Sequence, residues 1–187
     1  MLARHVGKLE LERQGMELWD LAPVMAAAAG SIHGAPKPDP SGAALASLAA
    51  GAIVNIAHDE KAAAAIAKVG GVASLVGMLG DGSTGESAHA AAALRNLSLT
   101  GDCVAAISNA KGAIQTLCAL LKGGAHPVMK EHAAACLKNM MVINRHSVAA
   151  VRKAGGNDAL RAAIRNSQAG ERARDIMMGA LELVGKP

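Results

Sequence analysis

Residues 80–96 read GDGSTGESAHAAAALRN. The first six, Gly80 to Gly85, spell G-x-G-x-x-G, and a run of helix formers follows. A glycine loop that opens a helix can cradle a phosphate, because backbone amides and the positive helix end both point at the anion. The dinucleotide version of that loop needs a strand before it and a βαβ unit around it. What precedes and follows these six residues therefore decides between a nucleotide loop and a turn joining two helices.

The ALRN that closes the stretch recurs. AIVNIA from Ala52, ALRNLS from Ala93 and CLKNMM from Cys136 align, with Asn55, Asn96 and Asn139 spaced 41 and 43 residues apart. A second series is AKVGGVASLVGML, NAKGAIQTLCALL and KAGGNDALRAAI, with Gly70, Gly112 and Gly155 spaced 42 and 43. A third is DEKAAAAIAK, GDCVAAISNAK and NRHSVAAVRKA. Three series on one period predict a repeat array. Each unit reads as a short helix (60–68, 102–110, 145–153), a second helix (72–79, 113–122, 157–166) and a longer third helix (42–57, 86–99, 128–143, 171–184). The glycines suit helix ends, where a left-handed residue is tolerated. Ser83 and Glu86 suit a capping box opening a third helix, and Pro127 suits the first turn of the next one.

Composition agrees. Half of the 187 residues are apolar, yet there is no Phe or Tyr, one Trp (Trp19), and much alanine. Alanine favours helices and lets them approach closely, whereas strands draw on β-branched and aromatic residues. The expectation is an all-α protein with thin layers. Residues 1–100 carry 7 Lys+Arg and 9 Asp+Glu, while 101–187 carry 12 and 6, so the net charge of +4 is concentrated late in the chain. This points either to an acidic ligand near the C-terminal half or to a solvated basic face. Cys103, Cys118 and Cys136 form no CxxC pair and read as reduced thiols of an intracellular, cytoplasmic protein. The start lacks a signal-type apolar run, residue 2 is leucine, and no window resembles a membrane span, so neither secretion, myristoylation nor membrane insertion is expected.

The residues GGVASLVGML, ALRNLS and NRHSVAAVRKAGG resemble the armadillo repeat family over about 42–187. HEAT repeats are the nearest competitor, but they have two helices per unit and usually lack the glycine-bounded short helix. The resemblance implies a right-handed α-α superhelix of about four three-helix repeats, whose third helices line the concave side. Residues 1–40 would be a degenerate N-terminal repeat, with ELERQGMELWDLAPVM (10–25) as its second helix, or a capping helix, followed by a Pro-rich loop; 41–187 would be the repeat domain.

In that family the third-helix asparagine holds the main chain of an extended peptide, since one amide offers donors and an acceptor to any peptide unit. By position this implies Asn55, Asn96 and Asn139 as partner-binding residues, with Leu183 ending the ladder. The other reading of these asparagines is a hydrogen bond that fixes neighbouring helices. One turn earlier stand Gly51, Ala92 and Ala135, where nuclear-import receptors of the family often place tryptophan. Their small size argues against recognition of basic nuclear-localisation peptides and implies a smooth, open groove. Arg95 and Lys138, each just before an asparagine, would meet acidic side chains of a ligand or lie along the rim.

Catalytic and metal signals are thin. Glu131, His132 and Cys136 share a helix, but no second ligand pair accompanies them, so Cys136 is expected buried and His132 exposed. No HExxH or Gly-x-Ser-x-Gly motif occurs, and nucleic-acid modules would need stacking aromatics. No metal and no cofactor is expected. The methionines Met129, Met140, Met141, Met177 and Met178 are expected to fill gaps in an alanine-thin core. The leading expectation is a non-catalytic adaptor binding a protein or extended peptide. The alternative is a subunit held in an assembly through its convex face or terminal repeats, and a nucleotide-binding enzyme using residues 80–85 ranks last.

Overall fold

Gly70, Gly112 and Gly155 take φ values of +81°, +78° and +77°, each at the corner where a short helix gives way to a second helix. Side chains with a Cβ rarely adopt this left-handed backbone, so glycine fixes the corner. The corners are sharp: the helices on either side of Gly70 meet at 78°, and those flanking Gly112 at 85°.

The computed structural model describes residues 40–81, 84–123, 125–166 and 170–185. In these the chain forms α1 (Pro40–Ile56), α2 (Glu60–Lys68), α3 (Gly71–Asp81), α4 (Thr84–Leu97), α5 (Gly101–Asn109), α6 (Ala113–Lys122), α7 (Pro127–Ile143), α8 (His146–Lys153), α9 (Gly156–Asn166) and α10 (Glu171–Gly185). No strand occurs among the described residues. The boundaries lie within a residue or two of those read from the repeat. Three complete units (α2–α4, α5–α7, α8–α10) follow α1, which stacks in the position of a third helix. The expectation of a degenerate repeat or capping helix with a Pro-rich loop before it, and the Ser83 half of the capping box, fall outside the described residues.

The third helices α1, α4, α7 and α10 stack in chain order, and the second helices α3, α6 and α9 form a parallel layer against them. This is the right-handed α-α solenoid expected of the sequence. Alanine makes the close stacking possible: Ala50, Ala90, Ala91, Ala93, Ala133, Ala134 and Ala180 are fully buried between third helices and their neighbours. Leu75, Leu94, Leu117 and Leu137 supply the bulk, and burying a leucine side chain contributes about 1.5–3 kcal/mol. Met129, Met140, Met141 and Met177 are buried as expected, but Met178 is 46% exposed. It belongs to the last third helix, and no further repeat among the described residues covers that side.

The ends of the helices are closed by local chemistry. Asp59 accepts from the Ala62 amide at 2.9 Å to open α2. Pro127 sits in the first turn of α7, where its missing N–H costs nothing, and His126 accepts from the Val128 amide at 3.4 Å. Arg152 of α8 donates through Nη2 (2.9 Å) and Nε (3.2 Å) to the Val184 carbonyl, satisfying an orphan oxygen in the last turn of α10.

Candidate groove on the third helices

The last turn of a helix leaves carbonyl oxygens without an intrahelical partner. In this protein the next repeat supplies it. The Asn96 side-chain amide donates to the Val54 carbonyl of α1 at 2.9 Å and lies 3.2 Å from His58 Nε2. Because the amide N–H donates, His58 Nε2 acts as acceptor in this arrangement, an assignment that rests on the hydrogen-bond network. One repeat later the Asn139 amide donates to Ser98 Oγ at 3.0 Å and to the Arg95 carbonyl at 3.5 Å, while Ser98 Oγ itself donates to the Arg95 carbonyl at 2.6 Å. Cys136 Sγ reaches the Leu94 carbonyl at 3.6 Å. Two of the three ladder asparagines therefore tie consecutive third helices together.

The three asparagines differ in access. Asn55 is exposed, Asn139 half-buried, and Asn96 only 5% exposed. Arg95, Lys138 and Ala92 are half-buried and Ala135 is buried. The row of small residues is not the smooth open floor that its composition implies. A Cβ on Gly51 would meet the His89 ring at 3.8 Å, and one on Gly179 would meet Lys138 Nζ at 3.0 Å. Side chains from the adjoining repeat already lie over both glycines.

Two histidines belong to this face and were missed as a pair, although their spacing was legible. His89 and His132 stand 43 residues apart, each seven before a ladder asparagine. His89 Nδ1 shares a hydrogen bond with Ser47 Oγ at 3.1 Å. The residue that corresponds to Ser47 one repeat later is Ala88, which has no hydroxyl, and His132 Nδ1 is buried without a partner. His132 is thus half-buried rather than exposed. Burial, together with the positive charge of Arg95, holds its pKa below the usual imidazole value, and Glu131 opposes that shift. Glu131 also approaches Arg172 of α10, with Oε1 4.0 Å from Nε.

The other sequence candidates separate from this face. Gly80 and Asp81 end α3 and Gly85 lies in the first turn of α4, so the glycine loop has a helix on each side. Cys136 is fully buried, and burial pushes its thiol up to about 12 and that of Cys118 to about 11. All three cysteines are free. Among the described residues no cluster of three or more His, Cys, Asp or Glu could hold a metal ion. No single described helix is long and apolar enough to cross a membrane.

No family model matches the sequence, and no curated protein does so. Solved structures do resemble the fold. A designed armadillo repeat protein aligns at TM-score 0.71 and 23% identity, over 89% of this chain and 65% of that one. Computationally designed armadillo repeat proteins for modular peptide recognition align at TM-score 0.73 and 22% identity, over 88% and 64%. A third, a designed armadillo repeat protein in complex with the peptide (KR)4, aligns at TM-score 0.70 and 22% identity, over 89% and 64%. The chain spans slightly less than two thirds of the length of these proteins. The fold is armadillo-repeat-like.

Proposed function

We propose that this armadillo-like chain is a non-catalytic adaptor that binds an extended protein segment along its third helices. The observation that carries the reading is the register of Asn55, Asn96 and Asn139 on three stacked helices, with Arg95, Lys138, Ala92 and Ala135 beside them. Amides repeated at one period match the repeating donors and acceptors of an extended main chain. Asn55 and Asn139 are the accessible members, and Asn96 contributes chiefly by holding α4 against α1. Designed proteins of the same fold recognise peptides. An intracellular, cytoplasmic setting fits three free buried thiols.

The test is capture of partners from source-cell lysate by wild type and by an Asn55→Ala, Asn139→Ala variant of matched thermal stability. Loss of a partner from the variant alone supports the groove. Equal capture overturns it. The second reading, an assembly subunit held by its last repeat, is favoured by exposed Met178 on α10. Met178→Lys would then abolish self-association or assembly while leaving groove ligands bound.

A further inference from the structure

The positive charge of the C-terminal half does not lie on the third helices. α1 carries no charged residue and α4 has Glu86 with Arg95; α7 has Lys130 and Lys138 against Glu131. α10 has Arg172 and Arg174 against Glu171, Asp175 and Glu182, so the four helices together are neutral. The excess sits on the other side of the last repeat. From residue 145 to 165, Arg145, Arg152, Lys153, Arg161 and Arg165 face one carboxylate, Asp158, a net of +4. All five cations are exposed. Lys122 joins them from the end of α6, since its Nζ lies 3.3 Å from where a Gly155 Cβ would stand.

Folding accounts for only part of this cluster. Lys122, Arg152, Lys153 and Arg165 stand in the last turns of α6, α8 and α9, where a cation offsets the negative helix end. Arg145 occupies the N-cap of α8, the end where positive charge is unfavourable. Arg161 lies mid-helix, away from both ends of α9. Neither is called for by helix stability.

We infer that the corner built by α8, α9 and the end of α6 is a second docking surface, for a carboxylate-rich acidic protein segment. Arg152 is held by the Val184 carbonyl, but Arg145, Arg161 and Arg165 also carry planar forks, which match carboxylates in a bidentate manner. Base stacking needs aromatics, and the one aromatic residue of the chain, Trp19, is far from this corner in sequence. A bilayer surface would call for a row of exposed apolar anchors; Val142 and Ile143 are exposed at the end of α7 beside Arg145, but none of the large exposed apolar side chains lies on α8 or α9.

The experiment uses the full chain and a fluorescein-labelled glutamate-rich peptide, read by anisotropy at low and at physiological salt. Arg161→Gln with Arg165→Gln weakens binding by about tenfold, and the Glu pair weakens it further. Asn55→Ala with Asn139→Ala leaves it unchanged, which separates this surface from the groove. Matched melting curves certify the fold of each variant. Absence of peptide binding by the wild type, or equal binding by the Gln and Glu pairs, overturns the proposal. So does tighter binding of an RNA duplex or of phosphatidylserine vesicles at the same salt.

Discussion

The Asn96 amide donates to the Val54 carbonyl oxygen at 2.9 Å across 42 residues of sequence, joining the last turns of two stacked helices. Asn96 is buried in this tie, so changing it for a binding study carries a structural consequence. Asn96→Ala leaves a carbonyl at a helix end unpaired, which lowers stability by roughly 1–3 kcal/mol. Asn55→Ala, on an exposed side chain, stays within about 0.5 kcal/mol of wild type. Urea denaturation compares the two, and equal midpoints would mean that the Asn96 bond contributes nothing.

Ala88→Ser is expected to stabilise the protein. It restores at the second step of the stack the hydroxyl that Ser47 offers His89 at the first, and so gives His132 Nδ1 a partner. A net gain of about 0.5–1.5 kcal/mol is the size of one such bond. The gain should vanish when Ala88→Ser is combined with His132→Leu, a double-mutant cycle that isolates the contact.

The turns after the short helices set a second, sharper contrast. A Cβ on Gly71 would stand 2.7 Å from Ile66 Cγ2 and 3.0 Å from the Ile66 carbonyl oxygen, and one on Gly156 would stand 2.8 Å from the Val151 carbonyl. At the equivalent place in the middle repeat stands Ala113. There the turn has one more residue, with Ala110 extended (φ −67°, ψ 122°) and Lys111 before Gly112, which leaves room for the methyl group. Gly71→Ala and Gly156→Ala each cost about 1–3 kcal/mol through overpacking, whereas Ala113→Gly costs at most about 1 kcal/mol. Thermal melts of the three variants check the order.

His132 should make stability depend on pH. Its folded pKa lies below the ordinary value of 6.5, so the unfolded chain binds the proton first as pH falls. Stability is therefore lost as pH drops from about 6.5 through the lower folded value, and is fully present above 6.5. His132→Gln, which cannot protonate, should show a shallower acid-side slope in denaturation midpoints. An identical slope would remove His132 as the source.

Thiol chemistry should report unfolding. Cys118 and Cys136 are buried with pKa values near 11 and 12, so almost no thiolate exists at neutral pH in the folded protein. Neither should react with a thiol-selective reagent until denaturant is added. Labelling rates in native buffer then follow the opening of the stack.

The sequence by itself determined the period, the element order and the corners. Gly70, Gly112 and Gly155 could be placed from their spacing because a left-handed corner is a property of one residue's own backbone. The same holds for Pro127 in the first turn of α7. The helical nature of the segments around Gly80–Gly85 also followed from the repeat, and with it the absence of a βαβ setting for the glycine loop.

Only the tertiary structure decided what the ladder side chains do. Whether Asn96 faces a ligand or the Val54 carbonyl depends on how closely α4 stacks on α1, and His58 and Val54 enter that contact from 38 and 42 residues away. His132 is half-buried in the stack, with Arg95 of α4 close enough to lower its pKa, and unpartnered because a serine in one repeat is an alanine in the next. Net charge could be summed from the sequence, but its separation into a neutral row of third helices and a basic outer corner required the packing. Local backbone preferences are written residue by residue, whereas the environment of a side chain in a solenoid is set by the neighbouring repeat.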